Sequence, residues 1–324
     1  MRIFSGIQPT GELHIGNYFG AIARWVDLQR ENSCIYCIVD YHALTNEDTV
    51  SDELRQARRE LALGLLACGV DPEQAVLYVQ SDVPEHTELC WILGCVASYG
   101  DLTRMTQFKQ KSAEQEFINS GLFYYPVLQA ADILLYKADH VPVGEDQVQH
   151  LEEARRIARR FNFRFGDTFP EPEPILGEGA RIMSLADPER KMSKSAGLDH
   201  YIGLMEPEES IRKKVRSAVT DAGLAPGQVM SPGVANLFAL LELVASAGVA
   251  EGFRRDHAAG KLLYRDLKES LFTHLMDALR PIRERRRELD EKGTGDKILA
   301  AGAERARAIA RETMREVRSK VGLD

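Results

Sequence analysis

Two short apolar runs, Cys34-Ile35-Tyr36-Cys37-Ile38-Val39 and Ala75-Val76-Leu77-Tyr78-Val79, constrain this chain more than any other feature. Neither shows the polar alternation of a strand with one wet face, so both read as strands covered on each side by helices. A helical stretch, Ser51 to Cys68, lies between them. Another, spaced through Gly16, Tyr18, Ile22, Trp25, Val26 and Gln29, precedes the first, and ahead of it Ile3-Phe4 opens a shorter apolar segment that stops at Ser5-Gly6. Strand, helix, strand, helix, strand predicts an α/β fold with a Rossmann-like, doubly wound parallel sheet.

Helical patterns continue over Glu85 to Tyr99 and Leu122 to Tyr136, followed by a short strand, His140 to Val143, and a helix from about Asp146 to Phe161. Phe169 to Pro174 carries a proline at every second position from Pro170 and reads as a linker or surface loop. Beyond Lys191 to Ser195 the patterns become long and helical, over Pro207 to Thr220, Gly233 to Val249, Lys261 to Glu288 and Lys297 to Val321. The expected organisation is an α/β nucleotide-binding domain over 1–195 followed by an all-α helical domain over 196–324.

Composition bounds the function. The chain has 324 residues, 44% hydrophobic and 28% charged, which excludes collagen-like and low-complexity classes. A net charge of −8 argues against a protein that grips nucleic acid with its whole surface, but the charge is uneven. Residues 1–150 hold 10 Lys/Arg against 21 Asp/Glu, a net of −11, while residues 151–324 hold 31 against 28, a net of +3. The start lacks the apolar core of a secretory signal, and no apolar run approaches the roughly 18 residues of a membrane span, so a cytoplasmic location is expected. Five cysteines fit a reducing compartment. Cys34 and Cys37, three apart on a strand, point to opposite faces and cannot share an ion. Cys68, Cys90 and Cys95 read as buried core residues, and no bound metal is expected.

Two motifs carry the chemistry. Gln8-Pro9-Thr10-Gly11-Glu12-Leu13-His14-Ile15-Gly16-Asn17 lies between the first strand and the first helix. That is the carboxyl edge of a parallel sheet, where ligands bind and a helix start offers free N–H groups to an anion. Gly16 leaves room for a ligand against the backbone, and His14 and Asn17 supply donors suited to a phosphate whose charge grows during reaction. The second motif is Lys191-Met192-Ser193-Lys194-Ser195 at the domain boundary. Two ammonium groups three residues apart, with hydroxyls between them, can close on a polyphosphate and release it. Alone, each segment is an ordinary turn or solvated loop; the pair is far more specific.

Together they resemble the HIGH and KMSKS signatures of the class I aminoacyl-tRNA synthetases, with Asn17 where the first most often has its second histidine. Ser5 to Thr10, Asp40 to Ala43, Met105 to Lys109, Ala130 to Tyr136 and Val143 to Gln147 resemble the bacterial-type tryptophanyl-tRNA synthetase family. The likeness runs in order from residue 3 to about 220.

The resemblance implies that tryptophan's carboxylate attacks the α-phosphorus of ATP, expelling pyrophosphate, and that tryptophan then passes to the terminal adenosine of tRNA(Trp). His14, Gly16 and Asn17 would contact ATP, with Gln8, Pro9 and Thr10 beside the phosphates. Gly144, Glu145 and Asp146 would hold the ribose, and Ile182 and Met192 the adenine. Lys111, Lys191 and Lys194 would neutralise the leaving pyrophosphate alongside Mg²⁺, on a loop shared with Ser193 and Ser195. Asp132 would accept the indole N–H. An Asp in so apolar a run needs a buried partner, and an N–H donor matches an acceptor-only carboxylate. Phe4, His42, Val141 and Val143 would wall the ring, and Tyr125 and Gln147 would hold the α-amino group. Gln129, standing where methionine is expected, would also contact tryptophan, giving that wall an amide in place of a thioether. The family also implies a homodimer, with a connective insertion near residues 50–125. A pocket that hydrogen-bonds its substrate rejects analogues by roughly 10⁴ to 10⁵, so no editing domain is needed.

Three basic clusters, Arg155 to Arg164, Arg212 to Arg216 and Arg280 to Arg287, are candidate phosphate contacts for tRNA, although each alone is an ordinary solvated helix face. The nearest alternative is a tyrosyl-tRNA synthetase, which shares the fold and both motifs. A small-molecule nucleotidyltransferase would leave the residues after about 220 without a role, and a non-enzymatic RNA-binding paralogue would leave His14, Gly16, Lys191 and Lys194 without one.

Overall fold

The structure, a computed structural model, describes residues 1–46, 49–108, 118–144, 147–176, 181–221 and 230–324. Its centre is a parallel sheet of β1 (Arg2–Ile7), β2 (Ser33–Ile38), β3 (Ala75–Val79), β4 (His140–Val143) and β5 (Glu173–Leu176), in the spatial order β3-β2-β1-β4-β5. Every residue of β3, and all but the first of β2, is buried, as their unbroken apolar sequences require. Cys34 and Cys37 face different apolar clusters on the two sides of the sheet. Strand order runs outward from β1 through β2 to β3, then restarts at β4 on the other side. The switch point therefore lies between the carboxyl ends of β1 and β4, where such sheets open a crevice for ligands.

The helices along the α/β part are α1 (Ile15–Asn17), α2 (Ala23–Leu28), α3 (Asp40–Ala43), α4 (Ser51–Ala67), α5 (Glu85–Gly94), α6 (Tyr99–Leu102), α7 (Ser120–Leu134) and α8 (Val148–Phe165). The single helix expected from Gly16 is interrupted by a wider π-helical turn at Tyr18–Ile22, a local device common next to binding sites. The Pro-rich segment is not wholly a loop. Glu173–Leu176 pairs with β4 as the edge strand β5, and Pro174 is tolerated because an edge strand has one side without a partner. Cys34, Cys37, Cys68 and Cys90 are buried, but Cys95, the residue that caps the C-terminus of α5, is exposed, so the expectation of a buried core position fails there.

After β5 the chain is helical: α9 (Glu208–Ser217), α10 (Pro232–Val244), α11 (Ala247–Ala258), α12 (Tyr264–Lys292) and α13 (Gly295–Val321). The helical division proposed after residue 195 shares apolar packing with the sheet, since one core cluster runs from Ile3 through Leu237 and Phe238 to Leu299. α13 returns to lie against β3. There, a Cβ on Gly302 would come within 1.8 Å of the Leu77 carbonyl oxygen, so only glycine allows the approach. Among the described residues, no helix is long and apolar enough to cross a membrane.

Candidate active site

Backbone pairing between distant segments builds one end of the site. Ile15 N–H donates to the Ile202 carbonyl and Leu204 N–H to that of Leu13, each at 2.9 Å, while Met192 N–H donates to the Ile182 carbonyl at 2.9 Å. These bonds hold the segment after β1 beside the loop Lys191 to Ser195. A Cβ on Gly16 would meet the His14 ring at 2.9 Å and the Met192 Cβ at 3.5 Å, so this spot stays open only for glycine. Lys194 reaches across, and its ammonium donates to the backbone carbonyls of Thr10 and, at 2.9 Å, Glu12. Ser193 and Ser195 share a hydrogen bond between their hydroxyls at 2.8 Å.

Burial, reinforced by the charges of Lys194 and Lys191, holds the His14 pKa down at about 4, so its imidazole is neutral at pH 7. The His14 backbone N–H donates to Asn17 Oδ1 at 3.1 Å. Asn17 thus uses its oxygen locally and keeps its NH₂ for another acceptor. Burial lowers the Lys194 pKa, against the opposing charge of Glu12.

The other end is a buried polar network at the carboxyl edges of β2 and β3. Asp132, on α7 and 1% exposed, accepts from three donors: His42 Nε2 to Oδ2 at 2.8 Å, His86 Nδ1 to Oδ1 at 2.6 Å and Gln80 Nε2 to Oδ1 at 2.6 Å. Burial alone would raise this carboxyl's pKa, but the hydrogen bonds and charges of His42 and His86 outweigh it and hold the pKa at about 2. Asp132 is therefore ionised and acceptor-only. Behind it, His86 Nε2 lies 2.9 Å from the Tyr78 hydroxyl and 3.0 Å from that of Tyr136, and the Tyr136 ring stacks on Phe4 with centroids 5.8 Å apart.

A cleft of about 1420 Å³ opens beside the first end, between the loop after β1, α4, α9 and α12, and is lined by Gln8, Thr10, Glu12, Lys214, Arg283 and Arg286 among others. It does not reach Asp132.

Residues 1–279 match the family of class I tRNA synthetases for W and Y. The chain is 46% identical over 327 residues to the tryptophan–tRNA ligase of Caldanaerobacter subterraneus subsp. tengcongensis, covering 99% of this chain and 98% of that one. It is 47% identical over 329 residues to tryptophan–tRNA ligase 2 of Streptomyces avermitilis, with 99% and 96% covered. This chain belongs to the class I tRNA synthetase family. In three dimensions the synthetase resembles the crystal structure of tryptophanyl-tRNA synthetase from Campylobacter jejuni complexed with ADP and tryptophan, with a TM-score of 0.88, 37% identity and 100% of both chains covered.

Not every site residue expected from the sequence is brought into these two groups. The synthetase gathers Thr10, His14, Gly16, Asn17, Met192 and Lys194 at one end, with Ile182 and Pro9 buried beside them and Lys191 exposed. At the other, Phe4 and Val141 share a buried cluster, Val143 packs against it, and the His42 ring stands edge-on to Tyr125 at 6.2 Å. Gln129 is half-buried one turn before Asp132, and exposed Gly144 accepts from the Gln147 N–H at 3.0 Å. Lys111, Glu145 and Asp146 lie outside the described residues. Gln80, His86 and Tyr136 were not singled out in the sequence, nor was His150, whose Nε2 bonds the Tyr125 hydroxyl at 2.7 Å. The signal was the Asp132 prediction itself. A buried carboxylate needs donors, and Gln80 directly follows the apolar run of β3, with His86 in the first turn of the next helix.

Proposed function

We propose that this synthetase is a tryptophan–tRNA ligase, making tryptophanyl-adenylate and pyrophosphate from L-tryptophan and ATP and then charging the 3′-terminal adenosine of tRNA(Trp). The observation that carries the choice of amino acid is the near-full-length identity of 46–47% to two tryptophan–tRNA ligases. The ionised, buried carboxylate of Asp132 agrees with it, since an indole N–H is donor only.

In adenylate formation the substrate carboxylate is the nucleophile and pyrophosphate the leaving group, so that step needs no proton removed. The protein's work there is alignment and charge stabilisation. In this reading Lys191 and Lys194 meet the β- and γ-phosphates. The carbonyls of Thr10 and Glu12 give up Lys194 to oxygens that carry charge and bind an ammonium more strongly. Neutral His14 and the Asn17 NH₂ donate to the phosphates without adding a like charge to the two lysines. Gln8 and Pro9 border the phosphates, Ile182 and Met192 the adenine, and Gly144 the ribose, while Glu145, Asp146 and Lys111 are assigned by resemblance. Mg²⁺ would travel with the triphosphate, whose hard oxygens are its natural ligands. Phe4, His42, Val141 and Val143 wall the indole, and Tyr125 and Gln147 receive the α-amino group.

The helices after residue 195 would meet the tRNA. Much of the basic charge there is already engaged, as in Arg212 with Glu269 and Arg286 with Glu60 and Asp290, which leaves exposed Lys213, Arg285 and Arg287 as better phosphate ligands. A homodimer is supported by the exposed aromatics Trp91 and Tyr99, the latter beside Phe123 at 5.5 Å. A cytoplasmic location follows from the role in translation. Amino-acid-dependent ATP–pyrophosphate exchange tests the reading: tryptophan should support it, and better support by tyrosine would overturn it.

A further inference from the structure

A carboxylate has about four acceptor positions, two on each oxygen. On Asp132, Oδ1 spends both, on His86 Nδ1 and Gln80 Nε2, each at 2.6 Å, and Oδ2 spends one on His42 Nε2 at 2.8 Å. Among the bonds of the described residues, one position, on Oδ2, is left. The three donors are themselves constrained. Gln80 Oε1 accepts the Tyr41 backbone N–H at 3.1 Å, which fixes the amide with its NH₂ toward Asp132. His86 must carry its proton on Nδ1 to face an ionised carboxylate, and its Nε2 is closed off by the hydroxyls of Tyr78 and Tyr136. Gln80 and His86 are fully buried, so water cannot substitute for either bond.

We propose that His86 and Gln80 are positioning residues for amino-acid selection: by filling Oδ1 they lock the Asp132 carboxylate so that a single acceptor position on Oδ2 remains for a substrate N–H. This rests on the reading that Asp132 receives the indole N–H. Neither residue touches the substrate. Their effect is on the direction in which Asp132 accepts, and directional acceptors reject analogues lacking the donor far more strongly than loosely held ones.

The test compares tryptophan with 3-benzothienylalanine, in which sulfur replaces the N–H, by ATP–pyrophosphate exchange on the full-length enzyme. Wild type should prefer tryptophan strongly. In His86→Leu the KM for tryptophan should rise and the tryptophan-to-analogue ratio of kcat/KM should fall about ten- to a hundredfold, the cost of losing one charge-assisted bond, while the KM for ATP holds. His86→Asn, whose amide nitrogen can stand where Nδ1 stood, should recover most of that ratio. A wild-type ratio near one would remove the N–H reading itself. A high wild-type ratio that persists unchanged in His86→Leu, with only melting temperature or kcat affected for both substrates, would overturn the positioning role. Should His86→Leu fail to fold, Gln80→Met read on the same ratio decides in its place.

Discussion

The phosphate end of the site and the amino-acid end differ in what holds their charges. Lys191 and Lys194 stand on a loop whose fastenings are backbone carbonyls and neighbouring serines, and Lys194 rests on two carbonyls that a stronger acceptor can displace. Asp132 is sealed in a helix against two strand ends, with three of its four acceptor positions assigned. The difference matches what each end is asked to do. Charge on the phosphates changes along the reaction, so groups that arrive late act most usefully there. Choosing an amino acid is a comparison of kcat/KM values, and an acceptor that stays rigid and dry from binding through reaction discriminates best.

Lys194→Ala should separate the ends most sharply. Adenylate formation should slow by about 10² to 10³, as for loss of a group that stabilises transition-state charge, with the equilibrium affinity for tryptophan nearly unchanged. Stopped-flow adenylation with equilibrium tryptophan binding reads both. A large loss of affinity would mean that the loop already holds substrate in the ground state, and the contrast would dissolve.

Asp132→Ala should do the opposite, weakening binding and selectivity. It leaves His42, His86 and Gln80 facing a cavity without their acceptor, so folding stability should drop by about 3 kcal/mol or more. Discrimination against phenylalanine, measured by exchange, should fall with it. Unchanged selectivity in a folded Asp132→Ala enzyme would take the residue out of recognition.

How far these ends could be read in advance followed from whether a short stretch of chain marks the residues. The parallel sheet was legible because burial on both faces leaves an unbroken apolar run, and the phosphate end because its residues sit in two recognisable motifs, although Lys194 bonds Thr10 and Glu12 across 184 and 182 residues. The edge strand Glu173–Leu176 was hidden because proline is penalised by local rules, and only the pairing with β4 shows that one side carries no bond. Gln80 and His86 were hidden because no motif marks them and only the fold brings them to a partner 52 and 46 residues away. A sequence states that Asp132 needs donors but not which turn of chain supplies them.

The pH dependence of stability gives a smaller contrast. His14 is neutral in the folded protein down to about pH 4, whereas an ordinary histidine takes its proton near 6.5. The unfolded chain therefore binds the proton first, and stability contributed at this site is complete above pH 6.5, declines as pH falls to 4 and changes no further below. Urea melts from pH 7 to 4 should show wild type losing about 2 kcal/mol more than His14→Gln, which has nothing to titrate there. The Asp132 carboxyl should add little above pH 4, because the stability from its lowered pKa, about 2 against an ordinary 3.8, is lost mainly below that. Equal slopes in the two proteins would mean that His14 is more hydrated than its burial indicates.

The smallest expected effect asks whether the amino-acid end is insulated from the C-terminal helix. α13 is tied to α5, the helix that carries His86, by a two-bond contact of Arg318 with Glu88 at 2.7 and 2.5 Å and by Arg311 with Glu85 at 3.5 Å. The Arg318–Glu88 pair is about 40% exposed on both sides, so water competes for it, and Arg318→Ala should cost at most about 1 kcal/mol in a denaturant melt. The bonds of His86 are fully buried and have their own partners in Tyr78, Tyr136 and Asp132. The tryptophan KM should therefore stay within about twofold of wild type. A larger rise, at unchanged ATP KM, would show that tension on α5 from the helical region reaches Asp132, and the amino-acid end would then be a place where tRNA on the distant helices could influence which substrate is held.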